Sequence, residues 1–191
     1  ALRLDYRHSV NEIINFNPRI ACFVVYGQQP SASSQNMEGA IAISKILKKT
    51  KPEIKILFVG GHVAALPTET LEKENSVDII ALNEGAYSIS NLLEVENLDD
   101  YTYLKKVKGI GFRDEEKKII LTNPENIIPK NSLEKDLPGV AWDLLPNLSS
   151  YRTAGWHSWT NNSDKQPFAA FYTSLGCPYK CSFCMINIIN R

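Results

Sequence analysis

Apolar positions come in short unbroken blocks along the first two thirds of the chain, separated by segments of helical period. Residues 20–26 form a continuous apolar run rich in β-branched and aromatic side chains, the composition of a strand covered on both faces. Cys22, inside that run, reads as a small core residue. Residues 54–59 and 77–82 repeat the strand pattern. Gly60-Gly61 cuts the second block, and Asn83-Glu84-Gly85 forms the exit loop of the third. Between the first two blocks the period changes: Met37, Ala40, Ile41, Ser44 and Leu47 share one helical face, with Lys45, Lys48 and Lys49 toward the end. Residues 28–35 read as a polar loop before that helix, with Ser34 or Asn36 as its cap. Pro67 opens a short helix over 68–75, and 86–95 read as the next. Strands and helices interleaved in this way predict right-handed βαβ units and an α/β fold on a parallel sheet.

The pattern then changes. Residues 109–113 and 119–122, separated by a charged stretch, read as a β-hairpin. Residues 123–166, punctuated by Pro124, Pro129, Pro138 and Pro146, show no helical period longer than one turn. They read as a linker with local anchors at Trp142, Leu144 and Leu145. Residues 168–174 are strand-like again and deliver the chain to Gly176-Cys177. The expected organisation is therefore an α/β domain with a terminal hairpin (1–122), a linker (123–166) and the start of a second unit (167–191).

Composition removes several function classes. The 191 residues hold 21 Lys+Arg against 21 Asp+Glu, a formal net charge of zero. No basic excess is available to neutralise phosphates, so no nucleic-acid partner is expected. The longest apolar runs, such as Ile79-Ile80-Ala81-Leu82, fall far short of the ~20 residues that span a bilayer. Of four cysteines, three crowd near the end of the sequence and Cys22 stands alone, which favours a metal site in a reducing compartment, the cytoplasm, over a disulfide scaffold.

Cys177, Cys181 and Cys184 follow the spacing C-x-x-x-C-x-x-C. Three thiolates on one short loop can hold three corners of a cubane iron–sulfur cluster and leave the fourth iron open. A structural zinc site needs a fourth ligand, for which His157 is the nearest candidate, and a zinc-stabilised interaction domain stays an alternative.

Residues 173–184, with Phe183 at the aromatic position before the third cysteine, resemble the cluster loop of the radical S-adenosylmethionine (SAM) enzymes. The resemblance extends upstream, to those radical SAM proteins that carry a cobalamin-binding domain. Its carriers are Val59-Gly60-Gly61-His62, Asn83-Glu84-Gly85, Gly109 to Arg113, and the Leu-Pro-x-x-Ala-Trp-Asp-Leu-Leu wording that runs from Leu137 to Leu145. It implies a Rossmann/flavodoxin-like domain followed by the first strand and cluster loop of a partial TIM barrel. It also implies a [4Fe-4S] cluster on Cys177, Cys181 and Cys184, SAM chelated to the open iron with Phe183 near its adenine, and cobalamin. The chemistry implied is radical methylation or a related bond change on a small-molecule or natural-product-like substrate, with flavodoxin or ferredoxin as electron donor. A non-catalytic cobalamin-binding or redox-sensing module is the alternative within the same resemblance.

Ligands of open α/β sheets lie beyond the carboxyl ends of the strands. Gly27, Ser33, Ser34, Gly60, Gly61, His62, Glu84 and Gly85 sit on the three loops that leave that edge, and are the candidate cobalamin contacts. Each has a plainer reading as a turn former or helix cap. His62 is not expected to ligate cobalt, because the D-x-H-x-x-G wording is absent. The densest motif ends seven residues before the last, so the sequence reads as a piece of a longer protein without most of a barrel. The family's first strand also has no counterpart: residues 2–5 read as its second strand and 9–15 as the helix after it. Direct pairing of 2–5 beside 20–26 is the expected closure of the gap, with loosely attached first residues as the alternative; either way weak cobalamin affinity is expected, because the cobalt-facing loop that the resemblance implies has no counterpart.

Overall fold

The computed structural model describes residues 4–26, 30–151, 169, 176–184 and 186, without the side chains of 30–32. The expected strands are present as β1 (Ile20–Val24), β2 (Lys55–Val59) and β3 (Ile79–Ala81), and the hairpin as β4 (Ile110–Arg113) and β5 (Ile119–Leu121). They form one sheet in the order β1-β2-β3-β4-β5. The first three strands are mutually parallel, with Cys22 opposite Leu57 and Leu57 opposite Ile79. The hairpin then joins the same sheet antiparallel, with Ile80 opposite Gly111 and Phe112 opposite Ile120. The fold is α/β as expected, on a mixed rather than wholly parallel sheet. The physical reason is the hairpin: its tight turn forces an antiparallel partner, and β4 is the strand that meets β3.

The helices are α1 (Tyr6–Phe16), α2 (Pro30–Thr50), α3 (Gly61–Ala65), α4 (Pro67–Lys73), α5 (Ala86–Leu93), α6 (Tyr101–Leu104) and α7 (Leu133–Asp136). β2 alternates between two cores. Ile56 and Phe58 pack with Val10, Leu47, Val63 and Leu71, whereas Leu57 packs on the other side with Leu92, Leu104, Ile110 and Phe112. Each large apolar side chain so buried stabilises the fold by about 1.5–3 kcal/mol. Lys48 near the end of α2 ties the layers together. Its Nζ donates to the carbonyls of Pro52 and Ile54 and to Asp78 Oδ2 at 2.7 Å, while Asp78 Oδ2 also accepts from the Ile56 amide at 2.7 Å.

Four expectations are corrected. Helix α2 starts at Pro30 inside the expected loop, since proline is preorganised for a first helical turn, so Ser34 and Asn36 are helical rather than capping. Cys22 is exposed and Val24 is 65% exposed, because β1 lies at the end of the sheet and its face on that side has no helix over it among the described residues. The described part of 2–5 is not a strand: Asp5 caps α1 by accepting from the His8 amide at 2.8 Å, and β1 pairs only with β2 among the described residues. Trp142, Leu144 and Leu145 are exposed, Leu144 by 80%, and do not anchor the linker. Ile128 does, at 6% exposure. Among its described residues the linker otherwise carries α7 and single turns at Lys130–Ser132, Trp142–Leu144 and Leu148–Ser150. The strand expected over 168–174 and His157 fall outside the described residues, apart from Ala169. Among the described residues no helix is long and apolar enough to cross a membrane.

Candidate functional site: the carboxyl edge of the sheet and the cysteine loop

The carboxyl ends of β1, β2 and β3 converge through the residues singled out in the sequence. Ser33, buried in the first turns of α2, donates from Oγ to the Val25 carbonyl and accepts from the His62 amide at 2.9 Å. One hydroxyl thus stitches the end of β1 to the start of α3. Ser34 Oγ lies 2.9 Å from His62 Nδ1, an exposed contact. Asn36, from the same helix, donates to the Tyr26 carbonyl at 2.7 Å. Gly60 has φ +153°, and a Cβ there would lie 2.4 Å from the Val25 carbonyl oxygen and 2.6 Å from its carbon. The demand for glycine at this position therefore comes from the neighbouring strand. Gly61, buried, opens α3.

The loop after β3 is built by an Asx turn, with the Gly85 amide donating to Asn83 Oδ1 at 2.9 Å. Gly85 has φ +85°, and a Cβ there would fall 2.7 Å from Val59 Cγ2. The second and third loops thus pack on one another. Glu84 is half-buried. Its Oε1 accepts from the Ile128 amide at 3.2 Å, and its Oε2 is buried with no hydrogen-bond partner. Burial raises the Glu84 carboxyl above the ordinary range, and its backbone hydrogen bonds oppose this only in part. Ser33, Ser34, Gly60, Gly61 and His62 are thus brought together, Gly85 abuts them through Val59, and Glu84, beside Gly85, contacts the Ile128 amide. Gly27 lies outside the described residues. Asn83 Nδ2 also donates to the Glu125 carbonyl at 3.4 Å, and sequence reasoning missed Asn36, Glu125 and Ile128 as partners of this edge. The Asn-x-Gly wording could have signalled the Asx turn, but nothing local marks the other three.

The raised carboxyl makes a prediction. Its preference for the neutral form contributes stability below the ordinary glutamate range, and that contribution is lost as pH rises through the folded-state value. Glu84→Gln keeps an acceptor for the Ile128 amide and removes the buried charge. The variant should match the parent at pH 4 and exceed it at pH 7, read from urea midpoints. A constant difference across that range would contradict the burial account.

The cysteine loop follows Gly176, at φ +77°. Cys177 and Cys181 are exposed, Cys184 is partly exposed, and none is in a disulfide. The Cys184 amide donates to the Cys181 carbonyl at 3.2 Å, folding the last two cysteines into one turn. Phe183 is 90% exposed. Among the described residues no group of three or more His, Cys, Asp or Glu side chains is gathered closely enough to hold a metal ion. Three accessible free thiols within one short loop fit an iron–sulfur cluster by donor type and spacing. At the sheet edge, the unpartnered Glu84 oxygen and the Ser34–His62 pair fit a ligand rich in hydrogen-bond donors, as the amide rim of a corrin is.

No protein-family model matches the chain. An uncharacterized methyltransferase of Pyrococcus horikoshii is 27% identical over 158 residues, which cover 83% of this chain and 31% of that protein. The cobalamin-dependent radical SAM methyltransferase TokK of Streptomyces tokunonensis is 24% identical over 149 residues, covering 78% of this chain and 20% of its own. A 2-(S-pantetheinyl)-carbapenam-3-carboxylate methyltransferase of Streptantibioticus cattleyicolor is 23% identical over 149 residues, with the same coverage. Among solved structures, the cobalamin-dependent SAM radical enzyme OxsB, with aqua-cobalamin and SAM bound, superposes with a TM-score of 0.44 at 16% identity over 70% of this chain and 18% of that one. The chain spans less than a third of the length of these curated relatives. By sequence, the chain is similar to TokK, a cobalamin-dependent radical SAM methyltransferase, and to two further methyltransferases.

Proposed function

We propose that this chain is part of a cobalamin-dependent radical SAM enzyme that carries out methylation or related radical chemistry on a small-molecule substrate. The observation that carries the reading is the set of three accessible thiols at Cys177, Cys181 and Cys184, spaced four and three residues apart on one loop. These three would hold a [4Fe-4S] cluster and leave one iron open to the amino and carboxylate groups of SAM. When bound, the cluster supplies the electron that cleaves SAM to a 5′-deoxyadenosyl radical, and cobalamin supplies a methyl carrier. Phe183, free of protein contacts over most of its ring, is placed in sequence to cover the adenine of SAM. Ser34, His62 and Glu84 offer hydrogen-bonding groups to the corrin rim at the sheet edge, while Ser33, Gly60 and Gly85 hold the three loops in place. An external reductant of the flavodoxin or ferredoxin kind would feed the exposed loop, in the cytoplasm.

Anaerobic reconstitution of the chain with iron and sulfide tests the reading, together with an equilibrium titration by hydroxocobalamin. About four irons and four sulfides per chain, the content of a cubane, and a saturable cobalamin spectrum are expected. Stoichiometric zinc with no iron uptake would replace the reading by a zinc-stabilised domain. Iron uptake without any cobalamin binding would remove cobalamin from it.

A further inference from the structure

Residues 123–136 are attached to the third strand-end loop and to α5 by a repeating set of contacts. The Gly109 amide, at the start of the hairpin, donates to the Asn123 carbonyl at 2.8 Å. Asn91 Nδ2 donates to Glu125 Oε2 at 2.9 Å, and the Tyr87 hydroxyl donates to Asp136 Oδ2 at 2.6 Å. The Ile128 amide donates to Glu84 Oε1, and the Ile128 side chain is buried. Tyr87 and Asn91 are four apart and share one face of α5, and Glu84 lies in the loop just before the helix, next to its Gly85 cap. Ser88 and Leu92, one position further on, form the adjoining, buried stripe. One face of α5 therefore belongs to the core and the adjoining face to the linker. Glu84 joins two surfaces, since Oε1 holds the linker and Oε2 is buried without a donor.

The geometry points to Glu84 as a positioning residue. With Tyr87 and Asn91 it holds 123–136 as one cooperative latch, so that a hydrogen-bond-donating ligand at the sheet edge acts on the segment leading toward Cys177. The last clause rests on the proposed function, whereas the latch itself does not. A second bond to Glu84 fixes the carboxylate plane that the Ile128 amide needs, which is how occupancy of the edge tightens the latch.

Amide hydrogen exchange on the whole chain reads this directly. Glu84→Ala should speed exchange at the Ile128 amide about tenfold, the scale of one lost hydrogen bond, while Glu84→Gln restores near-parental exchange. Asn91→Ala, which touches Glu125 and not Ile128, should also speed Ile128 several-fold if the stripe acts as a unit. Core amides such as that of Phe58 should be unchanged in all three. Equal Ile128 exchange in the Ala and Gln variants, or no effect of Asn91→Ala, would overturn the latch. Addition of hydroxocobalamin should slow Ile128 exchange in the parent and not in Glu84→Ala. Binding that leaves Ile128 exchange unchanged in the parent would overturn the coupling. Absence of binding would count against the proposed function, and the ligand-free comparison would still decide the latch.

Discussion

Gly60→Ala should remove at least ~3 kcal/mol of stability from this chain, a loss visible as a large drop in the urea midpoint. The backbone at Gly60, with φ +153° and ψ 175°, lies in a region open essentially to glycine, which alone costs another residue about 1–3 kcal/mol. The added Cβ would sit 2.4 Å from the Val25 carbonyl oxygen. That neighbour is backbone, not the tip of a side chain that can swing away. Relief means parting the ends of β1 and β2, which breaks the 2.8 Å bond from the Val25 amide to the Val59 carbonyl and the two bonds of Ser33. Gly39→Ala provides the contrast. Gly39 lies within α2, and a Cβ there meets nothing within 4 Å. The same substitution there should stabilise by about 0.5–1 kcal/mol. If both variants moved the midpoint alike, the close approach at Gly60 would be discounted.

Cys181→Ala should abolish iron retention after anaerobic reconstitution, and Cys177→Ala and Cys184→Ala should do the same. A cubane reduced to two protein thiolates on an exposed loop loses a third of its protein ligands and has no other cysteine within the loop to recruit. Cys22→Ala should retain the parental iron content, because Cys22 lies within β1, part of a separate element of the fold. Unchanged iron in the Cys181→Ala protein would refute the ligand assignment.

The elements that were legible in the sequence are those set by local rules. β1, β2 and β3 are runs of apolar residues closed by glycine, and the hairpin is two β-rich runs around a charged turn. What sequence could not show was set by position in the sheet. Cys22 and Val24 lie in an apolar run like that of Leu57 and Phe58, yet one run is at the end of the sheet and the other has a strand on each side. Asp5 reads equally well as the end of a strand or as a cap, and the His8 amide decides. The apolar residues at 142–145 look like anchors, but Ile128 carries that role because Glu84 holds its amide. The site was legible as loops and not as bonds: the glycines were found, while their cause, the Val25 carbonyl and Val59 side chain, lies across the sheet.

Among the described residues every strand pairs only with its neighbours in sequence, so no strand there has to enter between two that are already joined. The sheet can therefore be assembled from one end, with the order governed by loop closure. Pairing Phe112 with Ile120 closes the shortest loop, and pairing Cys22 with Leu57 the longest. The two differ by roughly two doublings of loop length, about 1 kcal/mol of closure entropy. That difference favours growth from the hairpin toward β1. The strand added last is then β1, which among the described residues has a partner on one side only, so the sheet completes its hairpin end before its parallel end.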